Sequence, residues 1–269
     1  MTLSNNTNPQ FFRCKTDNAF RVKIVSEIAS SILKTGFWSI GPDGISLTMM
    51  DEVRKVMIDI RLDAKNFQVY KFAGSCPIHI GINSQHFHKM LKSIKKKDIL
   101  EFSIETGTSN EFVITTIPKD KTRTTHSAIR FQAVQNICIA KPSNYTKSVI
   151  IQSGDFQKMI KDLSMIGSDK IKERIENGRL SFSADLDGIM SREVIFGDKD
   201  DDNTQPDHTA IFATDQFERI SKLSALDDTI HIFPCSDTLP IQIKTRIGSI
   251  GEMSVYIKTD EICTNEHED

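Results

Sequence analysis

The chain has 269 residues, 38% hydrophobic and 26% charged, with a formal net charge of −2 at pH 7. That is enough for one large soluble domain or two of ordinary size. The near-zero balance excludes nucleic-acid binding through overall charge, so any polyanion contact must come from the arrangement of the cations.

The five cysteines, Cys14, Cys76, Cys138, Cys235 and Cys263, are far apart and contain no C-x-x-C pair. This argues against a zinc site and a disulfide framework, and points to a reducing, intracellular compartment. No apolar run approaches the ~18 residues of a transmembrane helix. The opening MTLSNNTNPQ lacks the regions of a signal peptide and reads as a disordered leader over residues 1–10.

In chain order, Phe11–Lys15 is a strand candidate. Asn18–Lys34 is helical, with Ile24, Val25, Ile28 and Ile32 on one face and Lys23, Glu27, Ser30 and Lys34 opposite. Gly36 is expected to end this helix as a C′ glycine. Strands follow at Phe37–Ile40, Ile45–Met49, Val56–Leu62, Gln68–Phe72 and Ile78–Ile82. Ser84–Lys97 carries Phe87, Met90, Leu91 and Ile94 at i, i+3, i+4 and i+7, which predicts a helix burying all four. Lys89, Lys92 and Lys96 fall on its opposite face. Ile99–Glu105 and Glu111–Ile117 are strands, and Ser127–Val134 is another.

Residues 135–147 have no regular period and contain Pro142, Ser143 and Asn144, which marks a connector. Beyond it come a strand at Ser148–Gln152 and a helix at Asp155–Gly167. The strands Lys170–Ile175, Arg179–Ala184 and Gly188–Phe196 precede an acidic loop at Asp198–Asp207. Then follow the strand Thr209–Phe212, a helix at Asp215–Leu226, and the strands Thr229–Phe233, Ile241–Arg246 and Met253–Lys258.

The two halves repeat each other. Early in each, a helix runs to a glycine and a hairpin signal follows, Asp43-Gly44 in one and Asn177-Gly178 in the other. A lysine face on one helix is no more than a solvated surface, but here the pattern recurs. Phe87 is followed at +2 and +5 by Lys89 and Lys92, Phe156 by Lys158 and Lys161, and Phe217 by Arg219 and Lys222. The first helix is the exception, offering only Lys23 and Lys34 with Glu27 between them. Helix pairs lying on an antiparallel sheet bury their apolar stripes there and turn their outer faces to a common surface. A repeated basic face on an acidic protein suits duplex DNA, held through its phosphates without base readout.

Other clusters read as structural. His86 and His88, two apart on a helix, diverge too far to share a metal. The Asp198–Asp202 run with His208 reads as a solvated acidic loop. No P-loop, GxGxxG or nucleophile–base pattern occurs, so neither catalysis nor a cofactor or metal is expected.

Several motifs in order resemble the proliferating cell nuclear antigen family of DNA sliding clamps, from about Phe11 to Ile262. They are Phe37-Trp38-Ser39-Ile40 with Asp43-Gly44-Ile45-Ser46-Leu47, Met50-Asp51 with Arg54, and Gly81-Ile82-Asn83 with Lys89-Met90-Leu91-Lys92. Two more are Ser153-Gly154-Asp155-Phe156 through Asp162-Leu163-Ser164-Met165-Ile166-Gly167, and Ile250-Gly251-Glu252-Met253-Ser254-Val255-Tyr256.

The resemblance implies an α+β DNA-clamp fold in which two similar domains, 11–134 and 148–262, flank the connector, with an acidic tail at 263–269. Three chains would form a six-domain ring around double-stranded DNA. The family's channel cations fall on Lys23, Lys89, Lys92, Lys158, Lys161 and Lys222, and helical geometry adds Lys96 and Arg219. Ile24 and Ser30 stand where the family is often basic. The resemblance puts a partner-peptide pocket at Met50, Arg54, Met57, Ile137, Ile139, Pro142, Pro240 and Tyr256. Lys258-Thr259 replaces the family's usual Ala-Pro beside it. Subunit contacts would fall on Ile129, Phe131, Ile189, Val194, Ile195 and Phe196. Implied partners are a DNA polymerase and other enzymes with clamp-binding peptides, a clamp loader and further copies of the chain, with no membrane, in the nucleus or at a viral replication site. A subunit of a hetero-oligomeric ring is the nearest alternative, and a metal-dependent nucleic-acid enzyme using the acidic loop is a more distant one.

Overall fold

The structure is a computed structural model describing residues 10–107, 110–145, 147–176, 178–197 and 207–259. It divides into two compact units: Met1–Thr48, Ile60–Cys138 and Ile247–Gly251 form one, and Met49–Asp59, Ile139–Arg246 and Glu252–Asp269 the other.

The first unit begins with β1 (Gln10–Thr16), α1 (Ala19–Ile32), β2 (Thr35–Gly41) and most of β3 (Gly44–Met50), and β4 (Val56–Asp63) is divided between the units after Asp59. It continues with β5 (Val69–Phe72), β6 (Ile78–Asn83), α2 (Ser84–Leu91), β7 (Ile99–Glu105), β8 (Glu111–Ile117), β9 (Thr125–Arg130) and β10 (Gln132–Ala133). The antiparallel order β5-β1-β7-β8-β9 makes one sheet, and β10-β6-β2-β3 are neighbours in another. Phe12, Ile28, Ile40, Leu47, Ile80, Ile82 and Leu91 lie fully buried in this unit.

The second unit holds β11 (Val149–Gln152), α3 (Ser153–Ser164), β12 (Lys170–Glu176), β13 (Arg179–Leu186) and β14 (Met190–Phe196). It then has β15 (His208–Ala213), α4 (Thr214–Ile220), β16 (Thr229–Phe233), β17 (Ile241–Ile247) and β18 (Gly251–Ile257). One sheet has the order β14-β13-β12-β15, and β18-β17-β16-β11 are neighbours in another. Phe156, Phe182 and Phe217 fill its core.

Four expectations are corrected. Gly36 is not a C′ cap: α1 ends at Ile32, Leu33 is extended, and Gly36 is the second residue of β2. A Cβ there would sit 2.8 Å from the Trp38 indole nitrogen, so close packing is what demands glycine. The second helix stops at Leu91 instead of reaching Lys97. Past it, Lys95 N–H donates to Asp98 Oδ2 at 2.9 Å and Asp98 N–H to Lys95 O at 3.2 Å, a side-chain-closed turn that replaces the helix. The fourth helix becomes a 3-10 segment at Ser221–Ala225. Ile220, Leu223 and Leu226 are all buried, and their spacing of three suits the 3-10 repeat. Finally, Ser127–Val134 divides: β9 pairs with β8, while β10 pairs with β6 in the other sheet.

Gly44 has φ +147, and a Cβ there would lie 2.0 Å from the Leu62 carbonyl oxygen. Gly44→Ala is therefore expected to destabilise the first unit by about 3 kcal/mol, through backbone displacement, as measured by urea unfolding.

Candidate nucleic-acid interface and docking surface

In α2 the Asn83 side chain accepts from His86 N–H at 2.9 Å and fixes the helix start. Phe87 then packs against Trp38 and Phe102 at ring separations of 5.9 Å, and against Phe112 at 6.3 Å. With Phe87 and Leu91 buried, Lys89 and Lys92 project outward and are exposed. Met90, expected in the core, is 41% exposed: about 60° round the helix from Phe87 on the side away from Leu91, it lies at the margin of the buried face.

Lys96 lies in the turn beyond α2, its ammonium 5.8 Å from the Phe20 ring centre. Lys23 approaches the same ring at 5.6 Å and donates to Ile94 O at 3.2 Å. It is half-buried and partly committed within its own unit. Ile24, at a position the family often makes basic, is core. His88 Nδ1 lies 3.2 Å from Ser26 Oγ. Burial lowers the imidazole pKa, Glu27 opposes this, and Lys23 and Lys92 assist it, so the ring adds no appreciable charge at neutral pH.

In α3, Phe156, Met159, Ile160 and Leu163 are buried, which leaves Lys158 and Lys161 exposed. They border an open groove of about 730 Å³ that Gln157, Ser164, Glu218 and Ser221 also line. In α4, Phe217 is buried against Phe182 and Phe212. Arg219 is exposed, but its guanidinium donates to Asp215 Oδ2 at 2.6 Å, so this cation is already paired. Lys222 is exposed on the 3-10 segment rather than on α4.

The expected docking residues sit mostly in the second unit. Asp51 Oδ1 accepts from Lys55 N–H at 2.8 Å and Val56 N–H at 3.0 Å, holding a tight turn in which Arg54 has φ 57. Met50, Ile139 and Pro142 are half-buried, Arg54 and Ile137 are exposed, and Pro240 and Tyr256 are largely covered. Met57 is only 3% exposed and belongs to the core.

The connector is tied down by two contacts that the sequence reading missed. Lys141 pairs with Asp59 at 2.6 Å. Tyr145 donates to Pro240 O at 2.9 Å, and its ring packs on Phe233 and Tyr256. An aromatic residue set among Pro, Ser and Asn was the available signal.

The expected subunit-contact residues fall on or beside two sheet edges. In the first unit β9 is an edge strand, yet Ile129 is buried in its own core, and Phe131 lies past the strand with its N–H bonded to Asn110 O. In the second, β14 is an edge strand with Ile195 exposed and Val194 and Phe196 half-buried. Ile189, 80% exposed, sits in the preceding turn.

Among the described residues, no three His, Cys, Asp or Glu side chains are grouped to hold a metal, and no helix is long and apolar enough to cross a membrane. The acidic run Asp198–Asp202, the tail 263–269 and Cys263 lie outside the described residues.

Residues 11–136 match the family described as Proliferating cell nuclear antigen, N-terminal domain. The chain is 21% identical over 254 residues to the probable DNA polymerase sliding clamp 1 of Paramecium bursaria Chlorella virus 1, covering 91% of this chain and 95% of that one. It is 24% identical over 256 residues to the DNA polymerase sliding clamp of Nitrosopumilus maritimus, covering 91% and 97%. It is also 25% identical over 260 residues to the uncharacterized protein 436R of Invertebrate iridescent virus 6, covering 87% and 84%.

Removing the Tyr145 hydroxyl while keeping its ring isolates one connector contact. Tyr145→Phe is expected to loosen the connector by about 1 kcal/mol. Amide exchange over residues 139–145 should then accelerate roughly fivefold, with β16 and β17 unchanged.

Proposed function

We propose that this chain, which belongs to the proliferating cell nuclear antigen family, works as a DNA sliding clamp. Three copies close a ring, the edge strand β9 of one copy pairing with β14 of the next, and double-stranded DNA passes through it. The clamp carries out no bond chemistry of its own. It tethers a polymerase or another enzyme that docks a peptide beside the connector, and so raises that enzyme's effective concentration at the template. A clamp loader opens the ring, and the chain acts where cellular or viral DNA is replicated.

The observation that carries this reading is the recurrence of exposed cations two and five residues after a buried phenylalanine, at Lys89 and Lys92 and again at Lys158 and Lys161. Lysines presented this way meet phosphates as point charges and read no bases.

The double substitution Lys89→Glu with Lys161→Glu replaces two exposed cations by anions and leaves the core untouched. Stimulation of a cognate polymerase on primed DNA is expected to fall at least tenfold at moderate salt, with the circular dichroism spectrum and melting temperature retained. Unchanged stimulation would remove these lysines from the DNA path. Sedimentation of the purified chain tests the ring separately: a species of three chain masses supports it, whereas a monomer that assembles only with paralogues would transfer the role to a hetero-oligomeric clamp.

A further inference from the structure

Two segments of the first unit that the helical repeat leaves unexplained meet at one end of a sheet. β7 and β8 pair from Ile99 with Ile117, so residues 92–98 enter the sheet where residues 118–124 leave it. The second segment returns as β9, where Thr125 pairs with Thr116. It is therefore a hairpin loop, and the turn that follows α2 lies beside it.

Each segment is ordered by its own short-range bonds, and these bonds occupy its carboxylate. In the first, Asp98 is buried and its Oδ2 accepts from Lys95 N–H. In the loop, Lys121 N–H donates to Pro118 O at 2.9 Å. Asp120 Oδ1 accepts from Thr122 N–H at 3.1 Å and from Thr122 Oγ1 at 2.9 Å. The Asp120 pKa is lowered, chiefly by those two bonds and to a smaller extent by the charge of Lys95, in keeping with the neighbourhood that the strand pairing sets.

What the two segments present outward is cationic. Lys95, Lys96 and Lys97 on one and Lys119, Lys121 and Arg123 on the other are all exposed. Among the described residues none of the six forms an ion pair. Cations gathered at one end of a sheet repel one another, which an anionic partner relieves.

The chemistry of the surface decides between anions. A protein segment docks through apolar or aromatic anchors in desolvated pockets, and exposed ion pairs alone return little. Neither segment offers such an anchor: Ile94 is buried in the core, Pro118 is half-buried, and their other residues are polar. A nucleic acid needs none, because each phosphate neutralised releases counterions. The patch also continues a line of lysines. Lys92 directly follows α2, and Lys95 comes three residues later.

We propose that Lys95–Lys97 and the loop 118–124 form a second phosphate-binding surface, which takes the backbone of duplex DNA beyond the stretch that the α2 lysines meet. It reads no bases, and it adds phosphate contacts that the helices do not supply. The choice of DNA as partner rests on the sliding-clamp reading; the surface itself does not.

The test is binding of a short fluorescent duplex to the full chain, followed by anisotropy between about 50 and 200 mM salt. The combined substitution Lys119→Gln, Lys121→Gln and Arg123→Gln removes three loop cations that have no part in the helical faces. Affinity at about 100 mM salt is expected to fall roughly tenfold, and the slope of log affinity against log salt to become shallower by about 2.7, or about 0.9 for each cation. The charge-preserving set Lys119→Arg, Lys121→Arg and Arg123→Lys should keep both at their original values, with the melting temperature unchanged in either set. Three results would overturn the proposal: no duplex binding by the unsubstituted chain at about 50 mM salt, unchanged affinity and slope in the glutamine set, or loss of polyglutamate binding in that set without loss of duplex binding. The last would give the patch to an acidic protein segment. The clamp reading fails separately, through the polymerase stimulation of Lys89→Glu with Lys161→Glu, because neither residue belongs to the patch.

Discussion

Burial of one phenylalanine per helix decides which way each cationic surface points. Phe156 and Phe217 are completely buried and Phe87 nearly so, with Phe87 and Phe217 held by aromatic neighbours from the strands beneath them. Bringing any one of them to the surface costs about 2–3 kcal/mol. Turning a helix to improve an exposed ion pair returns under about 1 kcal/mol. The aromatic anchor therefore wins, and the residues two and five positions later are carried outward whatever their charge. What the sequence chooses at those positions is then a choice about the surface alone.

The choices differ from helix to helix. Lys89, Lys92, Lys158, Lys161 and Lys222 are exposed at the anchored positions. Arg219 is paired with Asp215 one turn back, and Lys23 bonds Ile94 O beside the Phe20 ring. In α1 there is no aromatic anchor followed by two cations: Ile24 goes into the core, and Ser26, Ser30 and Ser31 return their hydroxyls to carbonyls three residues earlier. Such back-bonding satisfies a serine without giving it any role at a surface. The evenness of spacing read from three helices thus becomes an uneven distribution of available charge.

The strong periodic signals carried the fold. β7 and β8 have the bounds expected of them, and the buried positions of α3 follow its 3.6-residue period. The failures share a cause, because apolar spacing reports burial and not the backbone that achieves it. Ile94 is buried as its place at i+7 requires, but a turn closed by Asp98 delivers it there, so Lys96 leaves the helix with the rest of that turn. Ile220, Leu223 and Leu226 are buried by a 3-10 segment that the same spacing allows. Gly36 shows the limit for a single residue. It follows a helix as a capping glycine would, yet its backbone is extended and the indole of Trp38 occupies the space of its missing side chain. Contacts between residues distant in sequence, such as Lys141 with Asp59 or Tyr145 with Pro240, have no periodic signature at all.

These proportions bear on how such a surface would hold a polyanion. Lysine is a hydrated point charge on a flexible stem and lacks the fork with which arginine fixes a phosphate in two directions. Each phosphate neutralised contributes a slope of about −0.9 in log affinity against log salt and nothing to sequence preference. With five exposed lysines at the anchored positions and the arginine there already paired, contact with DNA in the proposed function would be weak at each point and easily exchanged for the next phosphate along the backbone. A net charge of −2 over the whole chain adds no general attraction that would oppose this exchange. In the proposed function, retention on the template would then come from topological closure, and the sheet edges at β9 and β14 would matter more than any single cation.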